Sequence, residues 1–506
     1  MEAKPINIGR KMAASAAWTV GTRVAVRAIG LISTFILARL LLPEDFGLVT
    51  LAAAIVVALE IFSLFSFDFA LIRDGKAERQ LYDTAWTLGL IRGAILAGLL
   101  VLGAAPAAVF FHEPRLEAVV LFLAIGTVLD SLQNIGVVDF RKEMTFEREF
   151  RFQVAQKITG FVVTGCLAFL WRDYWALVCG ILASHTAGLV LSYVLHPFRP
   201  RLSLSQWRPL VNFTKWLLVN NILNFVLNRA DVFILGRMVS PHELGLYAVA
   251  REISNLPTTE LMWPVQRALF PGFAKLAHDP LALARTYLDS AAVLLAIALP
   301  AAVGLALVAD PLVRVTLGDK WLAVIPLLQI LAVQGAVRLG GSLTIAALLA
   351  VGRPKLTTLI AVTTAAVQTP LLIVGALTGG VMGMAIASGV AAAINLVISL
   401  AVSLTALKIS SPALLGAVWR TGVATLCMSG AAWGWIEGFA ATAGLGDYPL
   451  LELFSGAAVG AIAYVAVHLL LWRLQGRVHG AERIILDAVM PGLGRHWRRW
   501  RGAPTA

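Results

Sequence analysis

Apolar runs of helix length recur along the whole chain and alternate with short polar connections. Inside a bilayer the backbone must satisfy its own hydrogen bonds, and helices of about 20 apolar residues do so. The pattern predicts an all-α integral membrane protein with about fourteen transmembrane helices. The predicted spans are 13–42, 46–67, 84–111, 116–139, 152–171, 174–196, 213–238, 245–268, 286–310, 325–350, 356–377, 380–405, 413–438 and 451–472.

A short motif occurs twice in the chain. Residues 38–52 read ARLLLPEDFGLVTLA, and residues 236–250 read GRMVSPHELGLYAVA. The pairs that match in register are Arg39 and Arg237, Pro43 and Pro241, Asp45 and Glu243, and Gly47 and Gly245. Each copy joins the first two spans of a set of six. The duplication predicts two parallel six-helix repeats, followed by two extra C-terminal helices, and it makes the motif a repeat hinge.

The repeat sets the expected domain boundaries. We expect an N-terminal lobe at 1–200, a C-terminal lobe at 201–408, the appended spans 13 and 14 at 409–472 and a basic cytoplasmic tail at 473–506. Parallel repeats suit alternating access, in which a substrate site lies between two rocking halves.

Composition supports the membrane assignment and orients the chain. Charged residues make up only 14% of the sequence, against about 25% in soluble domains. Much of the net charge of +12 comes from Lys and Arg in alternate loops and in the tail RHWRRWRG. The positive-inside rule then places both termini in the cytoplasm, in a multi-pass protein of a bacterial inner membrane. The tail is expected to bind anionic membrane lipids. Nucleic acid is not an expected partner.

Ionisable and amide side chains interrupt several spans. An Arg at a helix centre costs about 2.5–3.5 kcal/mol on insertion scales, so it usually faces a cavity or a partner. Arg23 and Arg27 share one face of span 1, and similar polar stripes follow spans 7, 8 and 10. The candidate substrate-binding residues are Arg23, Arg27, Asn220, Asn224, Asn228, Asp231, Arg251 and Arg338.

The chemistry of this set fits a sugar carried on a diphosphate. Arginine forks match phosphate oxygens, and amides suit sugar hydroxyls. The alternative is that these residues only bridge helices and hold the bundle together. Glu60 and Asp231 are candidates for ion coupling. No cofactor, metal site or P-loop motif is indicated, and the three cysteines are predicted to be small core residues.

Four segments resemble a known family. They are NRADVFILGRMVSPHELGLYAVAREISNLPTTELMWPVQRALFPGFAKL, LLPEDFGLVTLA, FRKEMTFEREFRF and ALLAVGRPKL. Together they resemble the bacterial polysaccharide transporter family, within the multidrug/oligosaccharidyl-lipid/polysaccharide exporter superfamily. The resemblance covers roughly residues 10–405 and is most specific in 38–52 and 228–276.

The resemblance implies a V-shaped, two-lobed bundle that flips undecaprenyl-diphosphate-linked oligosaccharides for O-antigen, capsule or exopolysaccharide synthesis. A polysaccharide polymerase and a chain-length regulator are then candidate partners. Two other functions stay open. One is a drug/cation antiporter of the same superfamily, for which the basic excess in the spans is unfavourable. The other is a membrane-bound glycan ligase or glycosyltransferase, although the loops are short for an active site.

Overall fold

The computed structural model describes residues 8–62, 71, 78–207, 225, 227, 229–260, 269–440, 448–476 and 480–484. The described residues form helices joined by short turns, and no strand occurs among them. Eight of the helices in this part of the chain are long and apolar enough to cross a membrane. The prediction of an all-α integral membrane protein is confirmed.

The chain divides into two compact units. Unit 1 comprises 1–249 and 376–384, and unit 2 comprises 250–375 and 385–506. The helices of unit 1 are α1 (Ile8–Leu40), α2 (Pro43–Phe62), α3 (Arg79–Phe111), α4 (Arg115–Ser131), α5 (Phe146–Trp171), α6 (Trp175–Leu195), α7 (229–238) and most of α8 (Pro241–Ser254). Within unit 1, α5 packs on α1 and α6, and α4 packs on α3 and α6.

Unit 2 is built on two neighbouring helices, α9 (Pro280–Leu307) and α10 (Val324–Ala350). Their interface buries Tyr287 and Leu294 of α9 and Leu343 of α10, and the Tyr287 and Thr344 hydroxyls share a hydrogen bond of 3.1 Å. The remaining long elements are Pro354–Ala406, of which 376–384 belong to unit 1, and α13 (Ser411–Trp433) and α14 (Pro449–Leu474). Helix α13 packs on α9 and on α14.

Proline and glycine set many of the helix boundaries. Prolines at 43, 241, 280, 354, 412 and 449 stand in the first turns of helices, where a missing N–H is tolerated and φ is already helical. Pro354–Ala406 is interrupted at Gly379 and Gly380, and Gly380 has φ 54°. Only glycine adopts such a backbone freely. The break separates α11 (354–378) from α12 (381–406), where the sequence predicts two spans.

The predicted spans correspond to these helices wherever they fall on described residues. Several of them end less simply than predicted, and one is span 8, where α8 is followed by the π-helical segment Leu256–Glu260. Span 4 becomes α4 and then, after a bend of 71°, the short helical segment Ile135–Lys142. Span 13 becomes α13 followed by a π-helical segment, Gly434–Ala440. Most of span 7 lies outside the described residues.

The prediction for the cysteines is wrong. Cys166 and Cys427 are exposed and Cys179 is partly buried. Cysteine is apolar enough to lie either in a protein core or on a helix surface that faces the hydrocarbon of the membrane.

Candidate functional site

The first copy of the repeat hinge is a helix start with its own cap. Helix α2 begins at Pro43, and the Leu42 N–H donates to the Asp45 carboxylate at 2.9 Å. Asp45 is buried, and its carboxylate satisfies a backbone N–H at the helix start that has no partner within the helix. Arg39, one turn before the hinge, is exposed.

The second copy repeats this arrangement. Helix α8 begins at Pro241, and the Ser240 N–H donates to the Glu243 carboxylate at 3.2 Å. In return the Glu243 N–H donates to the Ser240 hydroxyl at 3.3 Å, which completes a capping box. The matched acids, Asp45 and Glu243, therefore both cap the start of a helix.

The two copies of the motif touch each other at their matched glycines. A Cβ built on Gly47 would overlap the carbonyl of Pro241, and a Cβ built on Gly245 would overlap the carbonyl of Pro43. All four residues belong to unit 1. The contact is reciprocal, as expected for two copies of one structure related by an approximate two-fold axis, and it needs glycine on both sides.

Arg237 extends this contact to the end of α3. Its guanidinium donates to Nδ1 of His112 and lies 5.3 Å from the centroid of the Phe110 ring. His112 closes α3 with a left-handed backbone, φ 56°. Nearby, the Arg115 guanidinium donates to Glu113 at 2.8 Å and holds the pKa of that carboxyl below its usual range. Both matched arginines, Arg39 and Arg237, are exposed, and Arg237 links the second motif to the end of α3.

The predicted basic pair lies on α1 where the sequence places it. Arg23 and Arg27 are both half-buried, and α1 packs against α5. Trp18 packs edge-on to Phe150 of α5, with ring centroids 5.2 Å apart. Two guanidinium groups on one face of a membrane helix can bind a phosphate group or bridge to polar groups of neighbouring helices.

Other predicted residues fall in different surroundings. Asp231 is buried in unit 1 and accepts a hydrogen bond of 2.9 Å from the Tyr247 hydroxyl of α8. Arg251 and Arg338 belong to unit 2, where Arg251 is half-buried and Arg338 is exposed. Asn220, Asn224 and Asn228 lie outside the described residues. The structure therefore brings the hinge residues together but does not gather the eight candidates into one described cluster.

A second polar cluster in unit 1 contains Glu60, one of the two candidates for ion coupling. The charged groups that act on Glu60 are Asp130 of α4, Arg92 of α3 and His185 of α6. His185 Nδ1 lies 3.6 Å from Asp130, and Gln133 donates to the same carboxylate at 2.8 Å. Arg92 Nε is buried and has no hydrogen-bond partner among the described residues.

His185 was missed as a site residue. Its signal is present in the sequence, because a histidine inside an apolar run is a candidate functional residue by default. What the sequence does not show is that three other helices bring charged groups to the same place. Acids, a histidine and an arginine within one span layer can exchange a proton or bind a small cation.

Comparison with known proteins agrees with this architecture. A family model described as polysaccharide biosynthesis protein matches residues 36–326. The chain belongs to this family. The match includes both copies of the repeat hinge and the polar cluster around Glu60.

Named relatives cover most of the chain at low identity. The lipopolysaccharide biosynthesis protein WzxC of Escherichia coli (strain K12) is 24% identical over 385 residues, 75% of this chain and 78% of its own length. The succinoglycan biosynthesis transport protein ExoT of Rhizobium meliloti (strain 1021) is 25% identical over 460 residues, 90% of this chain and 92% of its own. The resemblance to polysaccharide transporters is confirmed.

Solved structures share the fold. The lipid II flippase MurJ in an inward closed conformation has a TM-score of 0.71 at 13% identity, over 92% of this chain and 100% of that chain. A multidrug resistance MATE family transporter of the MOP superfamily, inward-facing, has a TM-score of 0.57 at 16% identity, over 78% and 96%. At these identities the likeness concerns the fold alone.

Proposed function

We propose that this protein flips polyprenyl-diphosphate-linked oligosaccharide repeat units across the bacterial inner membrane, for O-antigen, capsule or exopolysaccharide synthesis. The observation that carries the proposal is the family match, which spans both repeat hinges of a helical membrane protein. The transport names of relatives such as ExoT and the flippase fold of MurJ support it. The protein acts as a transporter rather than an enzyme and has both termini in the cytoplasm.

The reciprocal glycine contact supports alternating access. On the proposed topology the hinge motifs lie at the periplasmic ends of their helices. The contact between Gly47 and Gly245 then closes that side, and releasing the cargo outward requires the two motifs to separate.

Charged side chains inside the spans select the cargo and provide a way to couple its transport to a proton or a cation. Arg23 and Arg27 of unit 1 offer two guanidinium groups for the diphosphate. The cluster of Glu60, Arg92, Asp130 and His185 is a candidate proton or cation site. Asp231 is held by Tyr247 and serves better as a structural residue than as a proton carrier.

The test is deletion of the chromosomal gene followed by complementation. We expect surface polysaccharide to disappear and the lipid-linked repeat unit to accumulate on the cytoplasmic face. Wild type should restore export, and the double variant Arg23→Ala, Arg27→Ala should not, at equal expression. Lys355→Ala removes an exposed basic residue outside the proposed site and is the matched control. Normal surface glycan in the deletion strain would contradict the proposal.

The second candidate is a drug/cation antiporter, which the MATE fold likeness favours. It predicts that the deletion strain becomes sensitive to cationic dyes while its surface glycan stays normal. A ligase or glycosyltransferase predicts that the lipid-linked unit reaches the periplasm and stays unprocessed there. The location of the accumulated unit therefore separates all three functions.

A further inference from the structure

Unit 2 contains a cavity whose lining includes neither the repeat hinge nor Arg23 and Arg27. Its volume is about 870 Å³, within the range of about 300–1,000 Å³ typical of small-molecule sites. Every residue that lines it belongs to unit 2. The walls come from α9, α10, α12, the short helix Ala309–Thr316, the end of α13, the π-helical segment Gly434–Ala440 and the first turn of α14.

The appended helices supply the distinctive part of this lining. Trp433 ends α13, Glu437 lies in the π-helical segment and Glu452 lies in the first turn of α14. A twelve-helix protein without α13 and α14 would have none of the three. The two extra C-terminal helices therefore complete the wall of the cavity.

Packing fixes the π-helical segment against α14. A Cβ on Gly456 would lie 3.1 Å from the Ile436 side chain, which is already tight contact, and the Trp435 indole N–H donates to the Ser455 hydroxyl at 3.0 Å. Segments of π-helix are rare and are frequent at functional sites. Here the segment places Ile436 and Glu437 in the cavity wall.

The polar groups of the cavity are acidic or neutral. Asp310, Glu437 and Glu452 contribute carboxylates, and Gln329 and Gln334 contribute amides, on an otherwise apolar wall. None of the residues that line the described cavity is basic. Arg314 donates to Asp310 at 2.8 Å from one turn away and leaves the cavity net negative. Such a site repels a diphosphate, because like charges brought together cost several kcal/mol.

Sugar rings fit this combination of groups. The wide face of an indole packs against the C–H face of a pyranose, and carboxylate and amide oxygens accept hydrogen bonds from hydroxyls. Gln334 is held by its donation to the Ser388 carbonyl at 3.2 Å, which orients its side chain within the wall. Trp433 lines the cavity and is 64% exposed, so its ring is accessible for stacking on a sugar.

We infer that this acidic, aromatic cavity binds the neutral or amino-sugar residues of the cargo, apart from the basic groups that take its diphosphate. The inference rests on the proposed function, since it concerns the sugar part of the same cargo. It assigns a role to α13 and α14, which add a saccharide subsite to the two six-helix repeats.

The test uses full-length protein in lipid nanodiscs and two probes. The first probe is the lipid-free repeat oligosaccharide, prepared by depolymerising the surface polysaccharide of the host, and the second is sugar-free polyprenyl diphosphate. We expect Trp433→Ala to weaken oligosaccharide binding about tenfold or more, as for a central aromatic contact. Glu452→Gln should weaken it less. Trp419→Ala, on the same helix but outside the cavity lining, is the matched control and should bind normally.

Binding of polyprenyl diphosphate should be the same in all of these proteins. Equal oligosaccharide affinity in wild type and in both cavity variants would overturn the inference, while transport by the wild type would leave the proposed function standing. Binding of ethidium that depends on Trp433 and Glu452, without oligosaccharide binding, would overturn it in favour of an organic-cation site. If Trp433→Ala does not fold, Trp433→Leu replaces it. Failure of the proposed function has its own signature, which is normal surface glycan in the deletion strain.

Discussion

Gly47 and Gly245 have no side chain, and this lets the two copies of the repeat hinge meet. The clash partners of an added methyl group are backbone carbonyls, which cannot move aside as a flexible side chain can. We expect Gly47→Ala and Gly245→Ala each to destabilise the protein by about 1–3 kcal/mol through overpacking. Thermal unfolding in detergent measures this effect.

A control for the glycine variants lies on α3. Gly98 has open space where its Cβ would stand, so Gly98→Ala should be neutral or stabilise by up to about 1 kcal/mol through helix propensity. Equal stability of Gly47→Ala and Gly98→Ala would show that the hinge contact is looser than the structure has it.

His196 follows Leu195, the last residue of α6, and gives a pH dependence beyond the end of that membrane helix. Burial lowers its pKa from the ordinary value, against the opposing effect of Asp139, whose carboxylate lies 3.4 Å from His196 Nε2. The pKa of His196 is lower in the folded state than in the unfolded state. Its contribution to the stability of the fold is therefore present at neutral pH and is lost as the pH falls through about 6.5 and below. We expect the melting temperature to decrease between pH 7.5 and pH 5. His196→Gln should flatten this slope, and an unchanged slope would assign it to other groups.

At the residue scale the sequence predicted which residues are important better than it predicted which residues touch. Alignment of the two motifs identified Gly47 and Gly245 as a pair, but nothing in the sequence shows that they touch, because contacts between distant segments depend on the whole fold. The same reason explains why the cluster of Glu60, Asp130 and His185 was not recognised. Asp231 looked like part of a polar stripe, and its bond to Tyr247 became evident only when α7 and α8 were placed together.

At the scale of helices, the segment after α14 turns back into unit 2. Glu482 is buried, 3.3 Å from the Arg420 guanidinium of α13 and 3.1 Å from His468 of α14. Neighbouring Ala481 packs among Ala292 and Ala296 of α9. The start of the predicted cytoplasmic tail is therefore part of the helical core and fastens the appended pair to α9.

Removing one member of this buried group should be severe. Glu482→Gln leaves Arg420 buried without a countercharge, and losses of about 3–5 kcal/mol are typical of such changes. Thermal unfolding and protease sensitivity of the C-terminal segment measure the effect. The control is Glu147→Gln, which breaks an exposed pair with Arg151 and should cost at most about 1 kcal/mol. Similar losses in the two variants would mean that Glu482 is not an anchor.

Helices were predictable because their signals are local. Runs of apolar residues, proline at helix starts and the glycine pair Gly379–Gly380 all act within a few residues. The bend after α4, the π-helical segment after α13 and the return of Glu482 depend instead on what packs beside them. Polar side chains also lie among the packed helices at these three places.

At the scale of the whole molecule, the internal repeat predicts both a pair of related helix sets and a mechanism of transport. A duplication with an even number of spans leaves the two halves parallel, and the fold likeness to a lipid flippase agrees with that design. Alternating access then requires that a contact between repeats opens once in each cycle. The contact best suited to a test is the one between His112 and Arg237, since both residues stand at helix ends beside the glycine pair.

A reversible cross-link at this position tests the cycle. In a background where Cys166, Cys179 and Cys427 are replaced by serine, His112→Cys with Arg237→Cys can be joined by a short bifunctional methanethiosulfonate. We expect the cross-link to stop export of the glycan and a reducing agent to restore it, because the joined motifs cannot separate. Each single-cysteine variant, treated in the same way, controls for the modification itself and should keep transporting. Full transport by the cross-linked protein would mean that the hinge stays closed throughout, and the path of the cargo would then have to avoid it.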